Sequence, residues 1–191
     1  MPLTTLIALG LLKKNTHTVR CTVHGPTLPD DIIHVTPLGI RKGDKMAVAF
    51  DDLQAGDAEL GRGLTIPDAV TLTKRENFTL PHGEDFRFVR FIEASEDDTH
   101  FFGRYTLPAE FDIALLPEVV AQMGAAVGST GKLEPGSIYV YKGGVFNYAK
   151  DTSLLNGDTL RVTGRVINAE GRNCSFLFSV RTARDNAEVF W

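Results

Sequence analysis

The sequence predicts an α+β protein in which an antiparallel sheet wraps around a central helix, with a β-rich N-terminal extension ahead of it. Two observations carry this. In residues 116–127 the apolar positions Leu116, Val119, Val120, Met123, Ala126 and Val127 fall at i, i+3, i+4, i+7, i+10 and i+11, one continuous stripe on a helix. On either side of this segment lie runs rich in Val, Ile, Phe, Tyr and Thr, which suit a pleated, half-buried surface. The remaining helix positions are nearly all small or apolar, so the helix must be covered, and a sheet is the covering its neighbours can form.

Taken in order, the first 80 residues are broken by turn formers: Gly25-Pro26, Pro29-Asp30-Asp31, Lys42-Gly43-Asp44, Gly56-Asp57, Gly61 to Gly63 and Pro67-Asp68. The apolar runs between them, residues 18–23, 32–35, 46–50 and 69–72, are too short for helices and read as strands. No amphipathic segment long enough for a first central helix precedes Thr79, so residues 1–80 are an extension and residues 81–191 the principal domain. Residues 86–93 nearly alternate, which predicts a strand with Phe86, Phe88 and, after a slip, Phe91 toward apolar surroundings. The acidic turn Glu96-Asp97-Asp98 then leads to a strand over 99–107. Pro117 fits the first turn of the helix, where its missing N–H is not needed, and Gly128 and Gly131 can end it. Strands follow over 137–148, 159–167, 174–182 and 187–191, with residues 169–173 as a hairpin loop.

Composition narrows the function. Hydrophobic residues make up 43% and charged residues 23%, enough apolar surface for a packed core. The net charge of −4 and the lack of a basic run in the sequence argue against a nucleic-acid partner. Cys21 and Cys174 are too few for a disulfide framework and read as buried thiols of a cytoplasmic protein. Residues 2–12 are apolar but shorter than the ~20 residues a membrane span needs, with no basic segment before them. They read as a buried strand or short helix. His17, His24 and His34 show no metal-ligand spacing, and 41–44 and 61–63 match no phosphate-binding loop, so neither a metal nor a cofactor is expected.

Three stretches resemble the 3-hydroxyacyl-acyl carrier protein dehydratases, whose fold is the hotdog. Leu80-Pro81-His82 ahead of residues 86–93 is similar to that family's opening turn and strand. Glu118-Val119-Val120-Ala121-Gln122 matches its Glu-x-x-Ala-Gln, and Phe146-Asn147-Tyr148 through Asn156-Gly157-Asp158 resembles its Phe-containing strand and the following turn. The resemblance implies a hotdog domain acting on an acyl thioester carried by an acyl carrier protein or coenzyme A, with Glu118 as the catalytic carboxylate and Gln122 lining the site. It also implies a homodimer or higher oligomer, as an exposed edge strand would favour. The family's Gly-His-Phe loop is replaced by Gly103-Arg104-Tyr105, which puts Arg104 where the basic histidine belongs. A guanidinium cannot act as a base, so Arg104 is a substrate-binding candidate and His100 the candidate base.

Dehydration of a 3-hydroxyacyl thioester needs a base near Cα and an acid near the 3-hydroxyl. Here these would be His100 and Glu118. Hydrolysis by a helix carboxylate that activates water needs no histidine, and a catalytically silent acyl-binding or partner subunit needs neither. His100 is otherwise a polar residue at a strand start, Glu118 a first-turn carboxylate favoured by the helix dipole, Gln122 a helix residue bonded locally, and His82 a turn residue.

Overall fold

In the computed structural model the residues described are 18–23, 33–36, 39–42, 44–52, 60–76, 89, 91–108, 116–128, 143–147, 149, 154, 157–168 and 174–191. The strands are β1 (Thr18–Val23), β2 (Ile33–Thr36), β3 (Gly39–Lys42), β4 (Lys45–Asp52), β5 (Leu72–Arg75), β6 (Ile92–Ser95), β7 (His100–Thr106), β8 (Gly143–Asn147), β9 (Thr159–Asn168), β10 (Ser175–Thr182) and β11 (Glu188–Phe190). Helix α1 (Leu116–Gly128) lies between β7 and β8 in the chain. The strands form a five-stranded sheet of order β2-β3-β4-β1-β8 and a six-stranded sheet of order β11-β10-β9-β7-β6-β5. Every pairing between them is antiparallel. The α+β class follows.

The predicted boundary at residue 80 does not separate the sheets. β5, from before it, pairs with β6, and β8, from well after it, pairs with β1. The two sheets also meet directly: Asn147 and Trp191 exchange backbone hydrogen bonds of 2.8 and 3.1 Å, and Ala149 N donates to Val189 O at 3.1 Å.

Two strand expectations shift. Residues 69–72 do not form a strand; β5 begins at Leu72, because Pro67-Asp68 opens a turn that Val70 N closes onto Pro67 O at 2.9 Å. Of the run expected over 86–93, Val89 and Phe91 lie outside any strand, and Ile92 and Glu93 open β6 (Ile92–Ser95). Phe91 is 37% exposed rather than in apolar surroundings, with the Lys74 ammonium 4.6 Å from its ring centroid. Residues 2–12, 86–88, 137–142 and the loop at 169–173 lie outside the described residues.

Alternation decides what each strand buries. On β7, Phe101 and Gly103 are buried while Arg104 and Thr106 are exposed, and on β9 Leu160, Val162 and Gly164 are buried while Arg161 and Arg165 are exposed. The register aligns Phe101 with Gly164 and Gly103 with Val162, so one face of the sheet is apolar across both strands. Helix α1 packs on that face. Leu116, Val119, Val120, Met123, Ala126 and Val127, the predicted stripe, are all at most 2% exposed. Each large side chain so buried contributes about 1.5–3 kcal/mol.

Two glycines allow the close approach of helix and sheet, and a third makes room within the sheet. A Cβ on Gly103 would sit 2.6 Å from Met123 Sδ, one on Gly124 would sit 2.3 Å from the Phe176 ring, and one on Gly164 would sit 1.9 Å from the Phe101 ring. Phe101 and Phe176 themselves meet edge to face with centroids 5.8 Å apart. Farther along, Phe146, Phe178 and Phe190 form a second aromatic group, with the Phe146 and Phe190 rings stacked at 5.6 Å. Just past the end of β7, Gly157, at φ 83°, donates to Leu107 O at 3.0 Å while Leu107 N donates to Asp158 O at 2.8 Å.

Gly164→Ala is therefore expected to destabilise the protein by about 1–3 kcal/mol, because the rigid, fully buried Phe101 ring has to move. Gly103→Ala should cost less, since Met123 is flexible. Urea unfolding of the two variants beside the wild type checks the order.

Candidate functional site

The sheet divides the sequence-derived candidates between its two faces. Gln122 and Glu118 are on helix α1, on the apolar side. Gln122 is 2% exposed, and an amide that deep requires hydrogen-bond partners; it is not left without one. Glu118 lies in the first turn of α1, but its side chain is outside the described residues. His100, Phe102 and Arg104 alternate with Phe101 and Gly103 and so project from the opposite face, as their spacing predicts. Within one chain the sheet stands between His100 and the helix. The arrangement thus brings His100 and Arg104 to one face and Gln122 to the other, and it does not assemble His100 with the helix motif.

His100 nevertheless has a defined setting, built by the turn between β6 and β7. Asp98 takes up φ 58°, which Asp tolerates, and its N–H donates to Ser95 O at 3.1 Å. This folds the backbone so that Thr99 N and His100 N donate to Ser95 Oγ at 3.1 and 2.9 Å, while Ser95 Oγ donates to Asp97 Oδ1 at 2.6 Å. Asp97 Oδ1 also accepts from Thr99 N at 3.1 Å and from the Thr99 hydroxyl at 2.8 Å. These donors, the Ser95 hydroxyl first and Thr99 next, hold the Asp97 carboxyl down to about 2.

That chain fixes a tautomer. Thr99 Oγ1 also lies 2.8 Å from His100 Nδ1. With Asp97 ionised, the single hydroxyl proton of Thr99 points to the carboxylate, so Nδ1 must carry the proton and donate to Thr99 Oγ1. In the neutral imidazole the lone pair is then on Nε2, which no described residue hydrogen-bonds. A histidine oriented this way can accept a proton or hold a donor at Nε2. The sequence marked Asp97 only as part of a turn, although the Ser-x-Asp-x-Thr-His spacing carries the signal for this network.

The same face is basic. Arg104 stands directly opposite Arg161, Arg161 opposite Arg181, and His100 opposite Arg165. Arg104 lies over the Phe102 ring at 5.6 Å. Sequence reading missed the three arginines of β9 and β10, though the alternation Arg161-Val162-Thr163-Gly164-Arg165 would have shown two of them sharing a face. Among the described residues no group of His, Cys, Asp and Glu is placed to hold a metal ion, and no helix is long and apolar enough to cross a membrane. His17, His24 and His82 lie outside the described residues, and His34 is placed only by its backbone in β2. Comparison of the chain with protein-family models, with curated proteins and with solved structures finds no match.

Asp97 sets a pH dependence. Its folded-state carboxyl is lowered from the ordinary 3.8 to about 2, so its hydrogen bonds stabilise the folded protein fully above the ordinary value and are lost as pH falls through the folded one. The protein should lose urea resistance between about pH 4 and pH 2, and Asp97→Asn, which keeps the acceptor oxygen but cannot titrate, should flatten that part of the profile. An unchanged slope in the variant would show that Asp97 is not the group responsible.

Proposed function

We propose that the protein handles acyl thioesters, as a hotdog-type, dehydratase-like protein in which Glu118 is the reacting carboxylate. The observation that carries this reading is the placement of Glu118-Val119-Val120-Ala121-Gln122 on the helix that packs against the six-stranded antiparallel sheet, with Gln122 buried in the same turns. A carboxylate on the first turn of a helix meets the positive end of the helix dipole. Such a group can give a proton to a leaving hydroxyl or draw one from water. The substrate would be a thioester on coenzyme A or an acyl carrier protein, in a cytoplasmic homodimer or higher oligomer.

Dehydration would make the protein a (3R)-hydroxyacyl-acyl carrier protein dehydratase-like lyase, with His100 as base. A second reading is favoured by one specific observation: the sheet stands between His100 and helix α1. Hydrolysis, in which Glu118 activates water directly, asks for no histidine at all.

Assays of crotonyl and 3-hydroxybutyryl thioesters, on coenzyme A and on carrier protein, test both. Glu118→Gln keeps shape and hydrogen bonding but not proton transfer, and should lower turnover by about 100-fold to 10,000-fold. His100→Ala separates the readings: a comparable loss marks dehydration with His100 as base, and a small effect marks hydrolysis. Should Glu118→Gln match the wild type on every thioester, the carboxylate is only a helix-start residue and the protein is a silent acyl-binding or partner subunit.

A further inference from the structure

Strands β7, β9 and β10 contain four arginines and one histidine and no acidic residue, in a chain whose net charge is −4. The register gathers them. Arg104, Arg161 and Arg181 are direct cross-strand neighbours in one row, and His100 and Arg165 form a second row four residues away, with Phe102, Thr163 and Ser179 in the row between them. All five project from the face opposite helix α1. With strands ~4.8 Å apart and ~3.3 Å per residue, the cluster covers a patch roughly 10 Å by 13 Å.

Arg104, Arg161 and Arg165 are exposed, and none forms an ion pair among the described residues. Arg181 is half-buried, and its Nε has no hydrogen-bond acceptor. The acidic residues at the border are Asp97, beside His100, Glu93 on β6, across from Phe102, and Glu188 on β11, across from Arg181. Glu188 is already engaged by the Ser179 hydroxyl at 2.6 Å, Gly63 N at 2.7 Å and Arg62 at 3.7 Å. Like charges directly opposite on adjacent strands destabilise a sheet. Two such contacts in one row, Arg104 with Arg161 and Arg161 with Arg181, are a cost that folding does not require.

We propose that this face docks an acidic protein segment, with the carboxylates of the partner bridging the arginine rows. Guanidinium groups match carboxylates in bidentate geometry, and the patch fits about two turns of a helix carrying Glu or Asp at i, i+3 and i+4. A single-stranded nucleic acid fits less well: it needs aromatic platforms, and Phe102 on this face is already covered by Arg104. The overall negative charge also repels an extended polyanion, whereas a short acidic segment meets only the local basic field. The proposal does not rest on the thioester reading: it uses no residue of α1, although His100 and Arg104 figure in both.

The test is fluorescence anisotropy of the full-length protein with a labelled, Glu-rich helical peptide of about four turns, beside its Gln-substituted counterpart. The wild type should bind the acidic peptide, prefer it at least about tenfold over the Gln peptide, and lose affinity steeply as ionic strength rises. The triple variant R104Q/R161Q/R165Q should lose about tenfold or more in affinity and unfold at no lower urea concentration than the wild type, because it removes repulsion. No binding of the acidic peptide at low salt, equal binding by the triple variant, or tighter binding of a single-stranded oligonucleotide than of the peptide overturns the proposal. So does marked destabilisation of the triple variant, which would show that the arginines serve the fold.

Discussion

Helix α1 can lie against β7 and β9 only because side chains are missing where the two surfaces meet. Met123 occupies the space that a side chain on Gly103 would fill, the Phe176 ring occupies that of Gly124, and the Phe101 ring that of Gly164. At Gly103 and Gly124 a large group from one layer thus enters a gap in the other, while Phe101 fills the gap over Gly164 within the sheet, and close packing results. The rest of the arrangement depends on this contact. Once Phe101 and Gly103 face the helix, strand alternation commits His100, Phe102 and Arg104 to the other side, and the register with β9 commits Arg161 and Arg165 with them.

The two faces of the six-stranded sheet therefore have different chemistry. The face toward α1 is buried and apolar, and the helix carries the Gln122 amide into it. The opposite face is cationic and wet, its arginines held by a rigid sheet instead of a loop, so their positions relative to one another are fixed before any partner arrives. The turn at Ser95 to Thr99 lies at the edge of that face and fixes the His100 imidazole through Asp97, a network in which every donor is local in sequence.

Local signals account for what could be read in advance. The stripe in residues 116–127 matches α1 because six apolar positions at helical spacing leave no other amphipathic solution. Strands β7, β9 and β10 lie within a residue or two of the expected runs, since β-branched and aromatic residues alternating with polar ones fit only a half-buried pleat. The expectation over 69–72 erred because the apolar run Ala69-Val70 competes with Pro67-Asp68, and the turn hydrogen bond from Val70 prevails. Phe91 lies exposed because β6 begins after it, and the Lys74 ammonium lies over its ring.

What the sequence by itself determined is the presence of the helix, the strand-rich character of its flanks, the turn at Asp97-Asp98, and the sharing of one strand face by His100 and Arg104. All of these rest on interactions between residues close along the chain. The tertiary structure alone decided which face of each strand the helix covers, and hence that Gln122 and His100 lie on opposite sides of a sheet. It alone also aligned Arg104, Arg161 and Arg181, which are far apart in sequence. Strand register is set by long-range pairing and by packing, and a shift of one residue would send every one of these side chains to the other face.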